Sequence, residues 1–211
     1  MKKSLIAAML VSTSFSAISA PYIGLEYGFS STEHEIQNNF KDTAIQLEPK
    51  SDEGILNGFV GYNFNDAWGI ELGYSQYKLE DSRTQLINAT AEYKEEREWQ
   101  SHIKANQISI APVFTHNISD RWLTKIKAGL TYTMYDYGNL QSLEKEFHLT
   151  DHDVNQIEDS YSNSTNEIGG LVSLGTEFKV INNLTIGMNL KYQFDNTANT
   201  ASVNLGSTYY F

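Results

Sequence analysis

The chain has 211 residues, no cysteine and a formal net charge of −11, with 13 Tyr, 10 Phe and only 3 Pro. The missing thiols exclude a disulfide-stapled fold, thiol catalysis and thiolate metal sites. The acidic balance argues against nucleic acid as a partner, and many aromatics with few prolines favour long β-strands.

Met1-Lys2-Lys3 is a short basic start, Leu5 to Val11 is apolar, and Ala17-Ile18-Ser19 is a small-x-small exit. This is the pattern of a cleaved export signal, too short to cross a bilayer. A cut after Ser19 is expected, because Pro21 hinders cleavage directly before it; a cut after Ala20 is the alternative. Residues 1–19 then form the signal peptide and 20–211 one domain. No later stretch reaches 18 consecutive apolar residues, so no spanning helix is expected.

Eight segments then alternate with the two-residue period of a strand. Tyr22 to Ser30 sets Ile23, Leu25, Tyr27 and Phe29 against Gly24, Glu26 and Gly28. Ile55 to Phe64 presents Leu56, Val60, Tyr62 and Phe64 on one face. Trp68 to Leu79 sets Trp68, Ile70, Leu72 and Tyr74 against Gly69, Glu71, Gly73 and Ser75. Ala105 to His116 shows Ile108, Ile110 and Phe114, with Pro112 a local irregularity. Trp122 to Tyr137 sets Ile126, Ala128, Leu130, Tyr132 and Met134 against Lys125, Lys127, Gly129, Thr131 and Thr133. Glu167 to Val180 sets Val172, Leu174 and Phe178 against Leu171, Ser173, Gly175 and Glu177. Leu184 to Phe194 and Ala201 to Phe211 complete the set, the last ending on Tyr209 and Phe211.

The connections alternate as well. Asn65-Asp66-Ala67, Asn117 to Asp120 and Ile181-Asn182-Asn183 are short and carry Asn or Asp turn chemistry. Ser31 to Gly54, Glu80 to Lys104 and Gly138 to Asn166 are long and polar, and Asp195 to Thr200 is brief. Short turns at one end, long loops at the other and an even strand count describe an all-β, eight-stranded antiparallel transmembrane β-barrel. The termini and short turns are expected on the periplasmic side, with the long loops outside.

The two faces decide which side meets lipid. One is almost continuously large and apolar; the other holds Gly, Ser, Thr, Asn and charges, the reverse of a soluble lipocalin-like barrel. An aromatic girdle at the periplasmic interface is expected from Phe64, Trp68, Phe114, Trp122, Phe178 and Phe211, and an outer one from Phe29, Tyr137, Tyr192 and Phe194.

The segments Tyr22-Ile-Gly-Leu-Glu-Tyr-Gly, Gly58-Phe-Val-Gly-Tyr-Asn-Phe and Trp68-Gly-Ile-Glu-Leu-Gly-Tyr resemble the small OmpA/OmpX/Ail-type barrels, over the whole exported chain. More narrowly, the pattern resembles the vibrio accessory colonisation factor A proteins. The resemblance implies a surface protein tied to colonisation or host contact. The terminal Phe211 resembles the C-terminal signal read by the barrel insertion machinery. Unlike full OmpA proteins, the chain is expected to stop at the barrel.

Glu26, Glu71, Lys125, Lys127, Glu177 and Lys191 fall on the interior face. An eight-stranded barrel is just wide enough for side chains to fill it, and isolated buried charges are costly, so these are expected to pair into a closed polar plug. The alternative is a narrow, gated path for ions or small solutes.

Asp151, Asp153 and Asn155 have the alternate spacing that opens a calcium loop. Gln156 stands where that loop needs Gly, and Ser162 where it needs Glu, so a solvated acidic loop is expected and no metal is assigned. The five histidines form no metal-protease pattern. Ser101 and His102 are adjacent on a strand and should point to opposite faces, which suits neither nucleophile nor base. A lipid-modifying enzyme is therefore the least favoured reading. No cofactor or catalytic residue is expected.

Most of the 26 acidic residues fall in the three long loops, beside Phe40, Ile45, Leu47, Leu86, Ile87, Tyr93, Trp99, Leu140, Leu143, Phe147, Leu149, Val154, Ile157 and Tyr161. Thr90 to Trp99 is expected to extend the strands above the membrane or to form a short helical turn. The function expected is colonisation or adhesion by a monomer in the bacterial outer membrane. Its partners are the bilayer, lipopolysaccharide, the insertion machinery and a host-surface macromolecule that aromatic anchors in the loops would grip.

Overall fold

The computed structural model describes residues 20–36, 40, 45–50, 54–149 and 153–211. The expected signal peptide, 1–19, lies outside the described residues. Eight strands follow in chain order: β1 (Pro21–His34), β2 (Ile55–Asn63), β3 (Trp68–Ala89), β4 (Tyr93–Asn117), β5 (Trp122–Phe147), β6 (Asp153–Ile181), β7 (Leu184–Phe194) and β8 (Ala198–Tyr210). Each pairs antiparallel with the next, and β1 pairs with β8 from Tyr22 opposite Tyr210 to His34 opposite Ala198, closing the barrel. Closure leaves no open edge in the ring, the condition for a sheet to cross lipid.

The strands differ in length, and the difference corrects the expected loops. β1, β2, β7 and β8 have 14, 9, 11 and 13 residues, close to the 9–11 that a tilted membrane crossing needs. β3, β4, β5 and β6 have 22, 25, 26 and 29. Most of the second and third expected loops is therefore strand, and a four-stranded sheet continues above the barrel on one side. Of the stretch Thr90 to Trp99, residues 90–92 form the turn and Tyr93 to Trp99 is already β4, so it extends the strands rather than forming a helical turn. β7 pairs with β6 from Gly170 onward, so residues 153–169 of β6 have no strand partner on that side among the described residues. Asp153, Glu158, Asp159 and Glu167 stand along this edge, and their charge discourages edge-to-edge association.

Sidedness in the membrane belt matches the two-residue pattern. Ile23, Leu25, Leu72, Ile126, Leu174 and Leu190 face outward and are exposed, while Asn57, Ser75, Gln107, Thr133 and Asn204 are buried inside. Higher up, the faces exchange character. On β3 the outward row runs Trp68, Ile70, Leu72, Tyr74 and then Gln76, Lys78, Glu80; the inward row runs Gly69, Glu71, Gly73, Ser75 and then Tyr77, Leu79. The change marks the level at which the surroundings of the outer face pass from hydrocarbon to water. Inside, Ile55, Tyr77, Leu79, Ile103, Ala105, Tyr135 and Ala198 form one buried apolar cluster, with Ile36 and Tyr137 packed against it. The lumen is thus polar below and apolar above, rather than polar throughout as expected. Tyr137 belongs to this interior layer and not to the outer girdle.

Candidate functional site

The polar half of the lumen is built from inward positions of strands around the ring, which meet across the interior. Lys127 Nζ lies 2.6 Å from Glu71 Oε1, and Lys125 Nζ lies 2.6 Å from Glu177 Oε1. Glu71 also accepts a hydrogen bond from Tyr22 Oη at 3.3 Å. Glu177 accepts from Thr185 Oγ1 at 2.6 Å, Tyr210 Oη at 3.2 Å and Thr208 Oγ1 at 3.3 Å. Lys125 stands over the rings of Tyr22 and Tyr210, and Lys127 over that of Phe59. Interior rings fit here because their neighbours lack side chains: a Cβ at Gly24 would strike the Phe59 ring, and one at Gly61 the Tyr22 ring.

Lys191 does not join an ion pair among the described residues. Its Nζ donates to Asn57 Oδ1 at 2.8 Å, beside Ser75 Oγ at 2.6 Å on the same oxygen. Asn57 donates in turn to Asn204, and Asn204 to Asn189 and Ser202. Above them Gln193 donates to Gln107 and Gln107 to Thr133. Glu26 is in no ion pair among the described residues; it borders a cavity of about 20 Å³ with Lys125, Lys127 and Glu177. That space holds about one water. Among the described residues, these polar layers are stacked beneath the apolar cluster inside the barrel.

The expected periplasmic girdle positions lie at the short-turn end. Trp68 stands opposite Phe114 with ring centroids 5.1 Å apart, and Trp122 opposite Phe178 at 5.0 Å. Phe64 packs on Tyr62 and Phe211 on Tyr209. The Phe211 amide donates to the Pro21 carbonyl at 3.1 Å, tying the chain end to β1. The short turns are shaped by side chains, Asn65 Oδ1 accepting from the amides of Ala67 and Trp68, and Ser119 Oγ from those of Arg121 and Trp122.

The extracellular sheet carries its own small core. Trp99, 2% exposed, packs with Phe40 and Leu47 of the segment between β1 and β2, and Ile45 covers them. Trp99 Nε1 also donates to Gln141 Oε1 at 3.2 Å. The same segment is stitched to β3 by reciprocal Lys50–Glu80 backbone hydrogen bonds at 3.1 and 3.0 Å, and by the Glu48 amide donating to Asp81 Oδ2. Phe40, Leu47 and Trp99 were expected among the partner-facing anchors; the structure turns them inward. Leu86, Ile87, Leu149, Val154, Ile157 and Tyr161 are exposed. Across the sheet, Arg97 of β4 reaches Glu158 of β6, Nε lying 2.9 Å from Oε2, and Gln141 of β5 donates to the same carboxylate at 2.6 Å. The hydrogen bonds from Gln141 and Arg97 hold the Glu158 carboxyl below its usual range.

Asp153 and Asn155 begin β6 as strand residues paired with Glu146 and Glu144, while Asp151 and His152 lie outside the described residues. Among the described residues no cluster of three or more His, Asp or Glu side chains can hold a metal ion. Ser101 is buried on the inner face and His102 lies on the outer face, so the two do not meet. Burial, then nearby Lys104, pushes the His102 imidazole below its usual pKa.

A family model described as outer membrane protein beta-barrel domain matches residues 4–211. No curated protein matches the chain. Among solved structures the fold is similar to Neisserial surface protein A, at 14% identity and TM-score 0.54, covering 90% of this chain and 97% of that one. It is also similar to Ail, the attachment invasion locus protein of Yersinia pestis, in complex with the heparin analogue sucrose octasulfate: 15% identity, TM-score 0.52, 92% of this chain and 99% of that one. A third likeness is to the outer membrane protein OprG of Pseudomonas aeruginosa, at 12% identity and TM-score 0.50, covering 92% and 96%.

Proposed function

The chain belongs to the outer membrane protein beta-barrel domain family, and from that premise we propose that it is a surface-contact protein, working in adhesion or colonisation through its extracellular sheet. It sits in the bacterial outer membrane. Export uses residues 1–19 as a cleaved signal, and Phe211 serves the insertion machinery. The working unit is a monomer. Its narrower kinship is with the accessory colonisation factor A proteins that the strand segments resemble.

One observation carries this reading. Four adjacent strands run a dozen or more residues beyond what a crossing requires, while the lumen below them is filled. A protein built for passage needs an open path; one built for contact needs ordered surface above the lipopolysaccharide. The interior charges Glu26, Glu71, Lys125, Lys127, Glu177 and Lys191 act in this reading as a structural plug, and the aromatic girdle as an anchor in the bilayer.

The test is to shorten both hairpins together, removing 79–103 of β3–β4 and 138–164 of β5–β6 and closing each with a two-residue turn. The shortened barrel should still insert. Cells carrying it should attach to host epithelial cells no better than cells lacking the protein. Attachment equal to that of the intact protein would sink the proposal.

A further inference from the structure

Above the apolar layer, the mouth of the barrel opens into a cleft of about 600 Å³, within the range of about 300–1,000 Å³ typical of small-molecule sites. Tyr137 and Asn139 of β5, Tyr161 and Thr165 of β6, Asn196 of the β7–β8 turn and Glu35 line it. No lysine or arginine does so among the described residues. The β5–β6 register sets Asn139 opposite Tyr161, so an amide and an aromatic ring stand side by side on one wall.

The cleft is held in shape without an occupant. Glu167 accepts from Asn196 Nδ2 at 3.2 Å and from Thr165 Oγ1 at 3.5 Å. Asp195 Oδ1 accepts from the amides of Thr197 and Ala198, and its Oδ2 from Tyr135 Oη at 2.8 Å. Asn139 is the exception. It is 8% exposed, and its Oδ1 has no hydrogen-bond partner among the described residues. A buried polar atom left this way is costly and calls for an explanation. Tyr161, by contrast, is 53% exposed and offers its ring to whatever enters.

We propose that this cleft binds an uncharged oligosaccharide, an inference that rests on the surface-contact reading and names its ligand class. A sugar ring presents apolar C–H faces and an array of hydroxyls. Tyrosine rings take the first; the polar groups of Asn139, Asn196 and Thr165 along the wall take the second. Glu35 at the wall and the carboxylates of Glu167 and Asp195 beneath it repel phosphate, sulfate and sialic acid. An acyl chain would strand the polar wall.

The experiment uses the intact barrel in nanodiscs on an array of uncharged linear di- to hexasaccharides, beside sulfated and sialylated ones. Binding is expected to a subset of the uncharged glycans. Tyr161→Ala and Asn139→Ala should each weaken it by about tenfold or more, the scale of one lost anchor. Retained heat-modifiable gel mobility verifies that each variant is folded. Binding of no uncharged glycan, binding of anionic glycans alone, or unchanged affinity in both folded variants would each overturn the inference. Host-cell attachment is measured on the same variants. Attachment that persists without glycan binding leaves the surface-contact reading standing and removes the sugar. Glycan binding that persists while attachment never depends on the protein does the reverse.

Discussion

Lys125 is 3% exposed in the barrel interior and depends on one carboxylate, Glu177, which three hydroxyls also address. Breaking such a pair from one side strands the other charge, at about 3–5 kcal/mol, whereas exchanging both for apolar residues of similar volume is often close to neutral. Lys125→Met should therefore lower the barrel's unfolding stability by several kcal/mol, read by urea titration in vesicles. Lys125→Met with Glu177→Leu should recover most of that loss, less the hydrogen bonds of Thr185, Thr208 and Tyr210. A double variant as weak as the single one would show that Glu177 is held for its hydroxyl partners and not for Lys125. These six interior charges were legible in sequence as a set, because each falls on the glycine-rich face. Their partners were less so: that Lys191 meets Asn57 rather than a carboxylate depends on β2 and β7 facing each other across the lumen, which local pattern does not encode.

At the scale of elements, the membrane-embedded parts of all eight strands follow from alternation, since the two-residue period there separates lipid-facing from interior side chains. The upper halves of β3 to β6 keep the same period but exchange which face is apolar. An expectation keyed to a large apolar outer face ends each strand where that exchange begins, at Leu79 on β3 and Tyr137 on β5, although pairing continues to Ala89 and Phe147. Trp99 was visible as an aromatic in an acidic stretch; its burial depends on Phe40 and Leu47 arriving from the segment after β1. The tip of this sheet is clasped by Arg97, Gln141 and Glu158, one residue from each of three strands. Glu158 titrates below its usual value of 4.5, so its contribution is fully present above that pH and is lost as pH falls through the lower, folded value. Amides around Gln141 and Glu158 should lose protection on acidification, measured by hydrogen exchange corrected for intrinsic rates. Arg97→Gln should loosen them already at neutral pH and flatten the dependence. Equal protection in the variant across that range would show that the clasp does not hold the tip.

For the molecule as a whole, the filled lumen sets an expectation about transport. Among the described residues, polar layers from Tyr22 to Gln107 lie beneath the apolar layer around Ile103, and the cavity beside the buried ion pairs measures about 20 Å³. Purified protein in planar bilayers should show no stable conductance at moderate voltage, and substituting Glu71 should destabilise the barrel without opening it. Steady, large openings from the pure protein would make the plug a gate. The ring is nonetheless lopsided. β3 to β6 rise as a wall, strand length beyond a crossing being on the order of 50 Å for β4 and β5, while the β7–β8 connection stays a short turn at Asp195 to Thr197. Among the described residues the mouth is therefore asymmetric: the wall rises on the β3–β6 flank, and the β7–β8 flank is low. A polymer too long for the mouth need not end there. On the proposed glycan-binding reading, it lies across the low flank and runs on parallel to the bilayer, so that one molecule grips the side of the polymer rather than its tip.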